Sequence, residues 1–393
     1  MWMAVLCMGV NVFRQPFYKN TDKRYVDSFG GCPYTFATTT NDGDMPMALT
    51  RRRFGALAAT LAAPALTPAL VRAQPLDALH AAARKEGELT WYVVPYPSEL
   101  AETMGRRFSE RYPGIRVNVV RTTAQVAYQR LNQDIKAGTP ACDVFSSTDL
   151  AHFLDLKARK LLLPYTPPSA AQLDRHLQNL DPDGTYHVTS AFPMGLVYNK
   201  QKVQGADVPS SWNDLLDPKW RGLASVAHPG FSGAAGAWSL EMRRLYGDAW
   251  FKKLADNKVQ VGRSTIDTVT TVNSGERSIS AGPITLAART ADRGNPVGWA
   301  VPKEGLVMVV SPSAVMASSK RPNASRLFME WLIGSDDVVE LGRAEFGIPL
   351  RTGLQPPGGL PAMGSTRTLA PTPKQMRDDL PAVVELWKDA FGV

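Results

Sequence analysis

Between residues 76 and 159 the chain repeats one pattern, helix then strand, and that repetition restricts the folds open to it. Leu76, Leu79, Ala82 and Ala83 recur at helical spacing over residues 76–86, and Gly87 stops the run. Residues 89–94 read as a strand. A helix follows with Leu100, Met104 and Phe108 on one face, ending at Tyr112-Pro113-Gly114. Residues 115–120 give a second strand, 125–137 a helix stopped by Gly138, 143–146 a third strand and 149–159 the next helix. Strands separated by helices cannot close as hairpins. They imply an α/β protein with a parallel sheet covered by helices.

The rest of the chain extends the theme. Strands are expected at 195–199, 223–227, 278–281, 297–301 and 306–317. Helices are expected after Ser232 through Tyr246, and at 265–273, 324–333, 336–343 and 374–390. The block from Trp212 to Gly222 reads as a short helix and a turn, and residues 353–373, rich in Gly, Pro and Thr, as irregular chain.

Upstream, Thr50-Arg51-Arg52-Arg53-Phe54 precedes an Ala/Leu run that Pro64 and Pro68 interrupt and that ends at Val71-Arg72-Ala73. The run is shorter than the ~20 apolar residues of a membrane span. It resembles a twin-arginine export signal with a small-residue cleavage site. Residues 45–73 are therefore expected to be a signal peptide, with the working protein starting near Gln74 in the periplasm of a Gram-negative bacterium. Residues 1–44 are a doubtful extension, because Met45 and Met47 offer starts just before the signal.

The chain has 393 residues and a net charge of +8. The first 73 hold eight Lys/Arg and four Asp/Glu, a net +4, so the remaining 320 residues also carry +4. That length suffices for two lobes. Basic residues are interspersed with acidic ones, so nucleic-acid binding has no footprint here. Past the leader only Cys142 remains, too few cysteines for an internal disulfide or a cysteine-held zinc, and a buried free thiol is expected.

Several blocks together resemble a known family. Lys85-Glu86-Gly87, then Arg111-Tyr112-Pro113-Gly114-Ile115-Arg116-Val117, then Asp143-Val144 are similar to the opening of solute-binding proteins of the iron(III)-type ABC importers. Tyr198-Asn199, Ser211-Trp212-Asn213-Asp214-Leu215-Leu216-Asp217-Pro218-Lys219-Trp220-Arg221-Gly222 and Phe346-Gly347-Ile348-Pro349-Leu350-Arg351 match later blocks. The resemblance implies a two-lobe type 2 periplasmic-binding fold hinged on two crossover segments. The first lobe would comprise residues 75–190 and 305–393, and the second 191–304. It also implies a membrane permease with its ATPase as partners. The chain is expected to act as a monomer without a cofactor.

Small hydroxyl residues stand where strands hand over to helices: Ser98, Thr122 and Thr123, Ser147 and Thr148, Ser232 with Gly233, and Ser264 with Thr265. In open α/β sheets ligands bind beyond the carboxyl ends of the strands, where helix N-termini present free N–H groups to anions. These residues, with His228 in the loop before Ser232, are the expected ligand set for a small organic anion: a phosphate ester, phosphonate or carboxylate. Each is alternatively an ordinary helix cap. Arg121, Arg263 and Arg289 are candidate supplements, and Tyr96 a candidate lining residue.

Iron is the alternative cargo within the family. Ferric iron needs phenolate and carboxylate oxygens. Iron-binding members carry adjacent tyrosines in the segment that here reads Ser280-Ala281-Gly282-Pro283-Ile284-Thr285, and Thr148 stands where an acidic ligand is expected. No metal site is therefore expected. From another class, Gly230-Phe231-Ser232-Gly233-Ala234 is a near miss to a hydrolase nucleophile elbow. The residue order is unsuited to a triad, so an enzyme is not expected. A structural or adhesive surface protein is the third class.

Overall fold

The computed structural model describes residues 75–392, so the expectations for residues 1–44 and 45–73 lie outside the described residues. Helix α1 (Leu76–Glu86) ends at Gly87, whose φ of 75° is the left-handed conformation that closes a helix without a Cβ penalty. Then come β1 (Glu88–Val93), α2 (Ser98–Arg111), β2 (Arg116–Arg121), α3 (Ala124–Lys136), β3 (Val144–Ser146) and α4 (Leu150–Ala158). A long strand β4 (His187–Asn199) leads to β5 (Ala224–Ala227), α5 (Gly233–Tyr246), α6 (Ala249–Asp256), β6 (Gln260–Gly262), α7 (Thr265–Asn273), β7 (Ile279–Pro283), α8 (Ile284–Asp292) and β8 (Val297–Ala300). A second long strand, β9 (Leu306–Val315), is followed by α9 (Pro322–Gly334), α10 (Asp336–Ala344), β10 (Thr368–Leu369), α11 (Pro373–Asp378) and α12 (Leu380–Phe391).

One continuous sheet has the order β2-β1-β3-β9-β4-β7-β5-β6, with β8 paired to β4 and β10 to β9. The pairs β1–β2, β1–β3, β5–β6 and β5–β7 are parallel, as the alternating pattern requires. The sheet is not parallel throughout. β9 runs antiparallel to β3 and β4, and β4 antiparallel to β7 and β8. Two parallel half-sheets are thus joined through an antiparallel pair, β4 and β9.

The expected strand 195–199 is only the end of β4. Its first half pairs with β9, a partner more than a hundred residues away that no local pattern reveals. The β4–β9 register shifts between Val188 and Ser190, so Thr189 sits at a bulge. Two helices, α6 and α8, were not expected. The expected helix 374–390 is two, because Pro381 at the start of α12 cannot continue the preceding helix.

Each half has its own aromatic core. In the first, Trp91, Phe108, Phe328 and Trp331 are buried between β1, α2 and α9, with Phe108 edge-on to Phe328 at 5.0 Å. On its other face Tyr92, Phe145, Phe153 and the free thiol Cys142 are buried; Cys142 donates to the Val144 carbonyl and burial raises its pKa. In the second, Trp212, Trp238, Trp250 and Phe251 pack together. The block 211–222 earns its specificity there. Ser211 and Asp214 form a capping box, Trp212 donates its indole N–H to the Gly305 carbonyl at 3.0 Å, and Asn257 donates to the Leu215 and Asp217 carbonyls.

The C-terminal helix departs from the expectation that residues 305–393 belong with the first lobe. Leu380, Val383 and Trp387 of α12 are buried in the Trp238–Trp250 core, and Trp387 lies 6.2 Å from Phe251. An amphipathic helix goes where its apolar face finds a partner, and here that partner is α5 and α6 of the second half. Trp387→Ala should therefore lower the free energy of unfolding by about 3–5 kcal/mol in urea titrations, the cost of a large core truncation.

Candidate functional site

The parallel strands of the two half-sheets flank the β4–β9 pair on opposite sides and run in opposite directions, so their carboxyl ends approach each other, and a cavity of about 140 Å³ lies among those ends. The turn after β1 supplies Tyr96. The turn after β2 supplies Arg121, Thr122 and Thr123 at the start of α3, and the turn after β3 supplies Thr148 before α4. From the second half come Ser232 at the start of α5, Ser264 and Thr265 at α7, and Thr285 and Arg289 on α8. Ser190 and Phe192 of β4, and Glu345 just after α10, complete the wall. The cavity thus faces several helix N-termini, each with unpaired backbone N–H groups and a partial positive charge.

The hydroxyls fall into two groups. Ser232 and Ser264 are helix caps: Ser232 Oγ accepts from the Ala235 N–H at 3.3 Å, and Ser264 Oγ from the Asp267 N–H at 3.2 Å. A capping hydroxyl uses a lone pair and keeps its own proton to donate, so capping and ligand binding are compatible. Thr148, Thr265 and Thr285 are different. They are 6 %, 5 % and 9 % exposed, and their hydroxyls have no hydrogen-bond partner among the described residues. Of the cavity threonines, only Thr123 has a hydroxyl that is itself fully buried without a partner. A fully buried hydroxyl such as that of Thr123 costs stability unless something completes it, whereas the other three are open to a hydrogen-bond partner in the cavity.

The charges are equally uneven. Arg289 pairs with Glu345, which also meets Arg293 at 3.4 Å, so its charge is balanced. Arg121 donates Nε–H to the Tyr96 carbonyl at 3.0 Å and has no carboxylate within ion-pair reach among the described residues. Burial pushes its pKa down and the longer-range field of Asp267 pushes it back up. An arginine stays protonated under such a shift. The Tyr96 hydroxyl donates to the Thr189 carbonyl at 2.9 Å, the carbonyl presented by the β4 bulge, and burial raises its pKa to about 12.

Of the residues expected from sequence, Thr122, Thr123, Thr148, Ser232, Ser264 and Thr265 line the cavity. Four do not. Ser98 is the exposed first residue of α2, with Pro97 in the cap position. Ser147 is fully buried behind Thr148, with its hydroxyl accepting from the Asp149 N–H and 3.0 Å from His152 Nδ1. His228 is buried with its Nδ1 accepting from the Gly230 N–H and its ring against Phe231 and Trp387. Gly233 serves by having no side chain: a Cβ there would lie 2.6 Å from the backbone of Thr148 and Asp149. Arg263 is also outside the wall, stacked over Phe231 at 5.1 Å.

Sequence reasoning missed Thr285, although it follows β7 just as Thr148 follows β3; the helix α8 that carries it went unread. Ser190 and Glu345 had no local signal, since a bulge and a pairing across 56 residues place them.

The Ser147–Asp149 turn is braced from behind. His152 stacks on Tyr128 with centroids 4.1 Å apart, and its Nε2 lies 3.4 Å from Asp149. Burial holds its pKa below the ordinary value, with Asp149 and Asp155 opposing. The unfolded chain therefore takes up the proton more readily, and stability should fall as the pH drops from 6.5 toward the folded pKa. His152→Gln should flatten that slope in urea titrations at stepped pH. Gly233→Ala should cost about 1–3 kcal/mol of stability by the same measurement, because the obstructing atoms are backbone and no rotamer relieves them.

A gap ringed by strand ends, helix starts and unpartnered donors defines a solute-binding protein. The chain belongs to the bacterial extracellular solute-binding protein family, whose model matches residues 140–365. A Salmonella typhimurium periplasmic protein named as 2-aminoethylphosphonate-binding is 23% identical over 322 residues, covering 79% of this chain and 87% of its own. A Serratia marcescens Fe(3+)-binding periplasmic protein is 26% identical over 220 residues, covering 52% of this chain and 62% of its own. Among solved structures, the periplasmic binding protein AfuA from Actinobacillus pleuropneumoniae, with fructose-6-phosphate bound, superposes with a TM-score of 0.69 at 20% identity, over 78% of this chain and 99% of AfuA. Iron-bound HitA from Pseudomonas aeruginosa gives 0.66 at 19%, over 77% and 99%. The fold is therefore the two-part type 2 periplasmic-binding fold expected from the sequence blocks, with β4 and β9 as its crossovers.

Proposed function

We propose that this chain is a periplasmic receptor that captures a small organic anion, a phosphate ester, phosphonate or carboxylate, and delivers it to an ABC permease and its ATPase. The observation that carries this reading is a set of donors with capacity to spare around one cavity: the hydroxyls of Thr148, Thr265 and Thr285, and the guanidinium of Arg121, which gives only its Nε–H to the Tyr96 carbonyl and meets no carboxylate among the described residues. The names of the Salmonella and Actinobacillus relatives, one for a phosphonate and one bound to a sugar phosphate, agree with it. The two half-sheets act as lobes that close on the solute about β4 and β9, with the C-terminal helix assigned to the second lobe. The export signal at residues 45–73 delivers the chain to the periplasm.

The magnitudes suffice. A micromolar site needs about 8 kcal/mol. Charge-assisted hydrogen bonds contribute about 1.5–3 kcal/mol each, and a partly buried helix start up to about 2 kcal/mol. Three or four such contacts reach that range.

Ferric iron is less well supported, despite the iron-binding relatives. The cavity phenol, Tyr96, is committed to a backbone carbonyl and resists ionisation, and Glu345 is held by two arginines. Among the described residues no three His, Cys, Asp or Glu side chains gather as metal ligands. Hydrolysis at Ser232 is also weakly supported, since its hydroxyl is a helix cap.

Mass spectrometry of co-purifying solute, followed by calorimetry, tests the proposal. Arg121→Gln should weaken binding about 10- to 100-fold, the worth of one charged hydrogen bond. Ser232→Asp, which sets a carboxylate at the start of α5, should abolish it. Unchanged affinity in both variants, or a ferric ion as the retained cargo, would overturn the anion reading.

A further inference from the structure

The turn after β1 reads Val94-Pro95-Tyr96-Pro97. Its two prolines carry no N–H, and among the described residues neither Pro95 nor Tyr96 makes a backbone–backbone hydrogen bond. A turn with so few main-chain ties has to be fixed by side chains. Two bonds of Tyr96 do this. Its carbonyl accepts the Arg121 Nε–H at 3.0 Å, and its hydroxyl donates to the Thr189 carbonyl at 2.9 Å.

The far end of that link is rigid. The Thr189 hydroxyl lies 2.5 Å from Ser313 Oγ, Ser313 Oγ lies 2.5 Å from Ser146 Oγ, and Trp91 donates its indole N–H to Ser146 Oγ at 2.7 Å. All four residues are buried, and they stand on β4, β9, β3 and β1. A buried polar network whose members satisfy one another holds a single arrangement. The near end is the reverse. Arg121 is the last residue of β2, and its two terminal guanidinium nitrogens have no hydrogen-bond partner among the described residues. A free arginine has many rotamers to give up on binding. The bond from Nε to the Tyr96 carbonyl restricts them beforehand and leaves the terminal nitrogens for a ligand, and such preorganisation raises affinity.

We propose that Tyr96 is a positioning residue: its hydroxyl pins the Pro95–Pro97 turn to the crossover strand β4, so that its carbonyl holds the Arg121 guanidinium ready for the anion. This rests on the anion reading above and adds to it a residue that acts on the solute through Arg121.

The test is calorimetry with methylphosphonate as probe, on the wild type, Tyr96→Phe, Arg121→Gln and the double variant. Phenylalanine keeps the ring and deletes only the hydroxyl. Tyr96→Phe should weaken binding about 3- to 10-fold, the worth of one neutral hydrogen bond, and should have no further effect once Arg121 is glutamine. Wild-type affinity in Tyr96→Phe would overturn the proposal. An equal loss in both backgrounds would also overturn it, because Tyr96 would then act independently of Arg121. The second readout is solvent exchange of the Arg121 Nε–H by NMR, the signal being identified by its absence from Arg121→Gln. It should exchange about 3- to 10-fold faster in Tyr96→Phe while the backbone amides of β2 keep their wild-type rates. An unchanged Nε–H rate, or acceleration spread over the β2 amides, would overturn the proposal even where Arg121→Gln binds too weakly for the cycle. Each of these failures leaves the anion site standing. A wild type that does not bind methylphosphonate would overturn the anion reading and the role of Tyr96 with it.

Discussion

The antiparallel ladder between β4 and β9 is the constraint on which the rest of the molecule depends. It holds two parallel half-sheets edge to edge, so that the carboxyl ends of β1, β2 and β3 and those of β5, β6 and β7 face a common gap. Its one irregularity is also used. The bulge at Thr189 turns a carbonyl toward the Tyr96 hydroxyl, while Ser190 beside it joins the cavity wall. A bulge re-aims side chains at small cost to a ladder, and here it orients part of the cavity wall from the crossover itself.

The cavity combines donors that are satisfied with donors that are not. Capping serines stabilise the helices whose N-termini face the gap, while among the described residues the threonine hydroxyls beside them have no partner and Arg121 gives only its Nε–H, to the Tyr96 carbonyl. Arg289, by contrast, is matched by Glu345. That pair joins α8 of the second half to the chain just after α10 of the first, so it links the two sides of the gap without adding net charge to it. The positive character of the cavity therefore rests on Arg121 and the helix starts. Gly233 permits a close approach across the gap, because the backbone of Thr148 and Asp149 occupies the space a side chain would need.

Much of this was legible in the order of the residues. The helix–strand alternation, the block around Trp212 and the hydroxyls after β2, β3, β5 and β6 all depend on spacing within a few residues, and local spacing is what a sequence displays. The failures have physical causes. Ser98 and Ser147 follow strands like the others, but Pro97 takes the cap position before α2, and Ser147 points to His152 behind the turn. His228 looked like a ligand donor, and its ring instead packs on Trp387 of the C-terminal helix, a contact between residues 159 positions apart.

The amino-acid order by itself determined the alternating elements, the caps, the absence of tyrosines from residues 280–285 and the family blocks, because each follows from backbone preference or composition over short stretches. Only the tertiary structure decided the antiparallel crossover, the bulge at Thr189, the seat of α12 in the second core and the pairing of Arg289 with Glu345. These depend on which distant surfaces meet. Hydrophobic burial and ion pairing reward such meetings without regard to separation along the chain, so no local pattern records them.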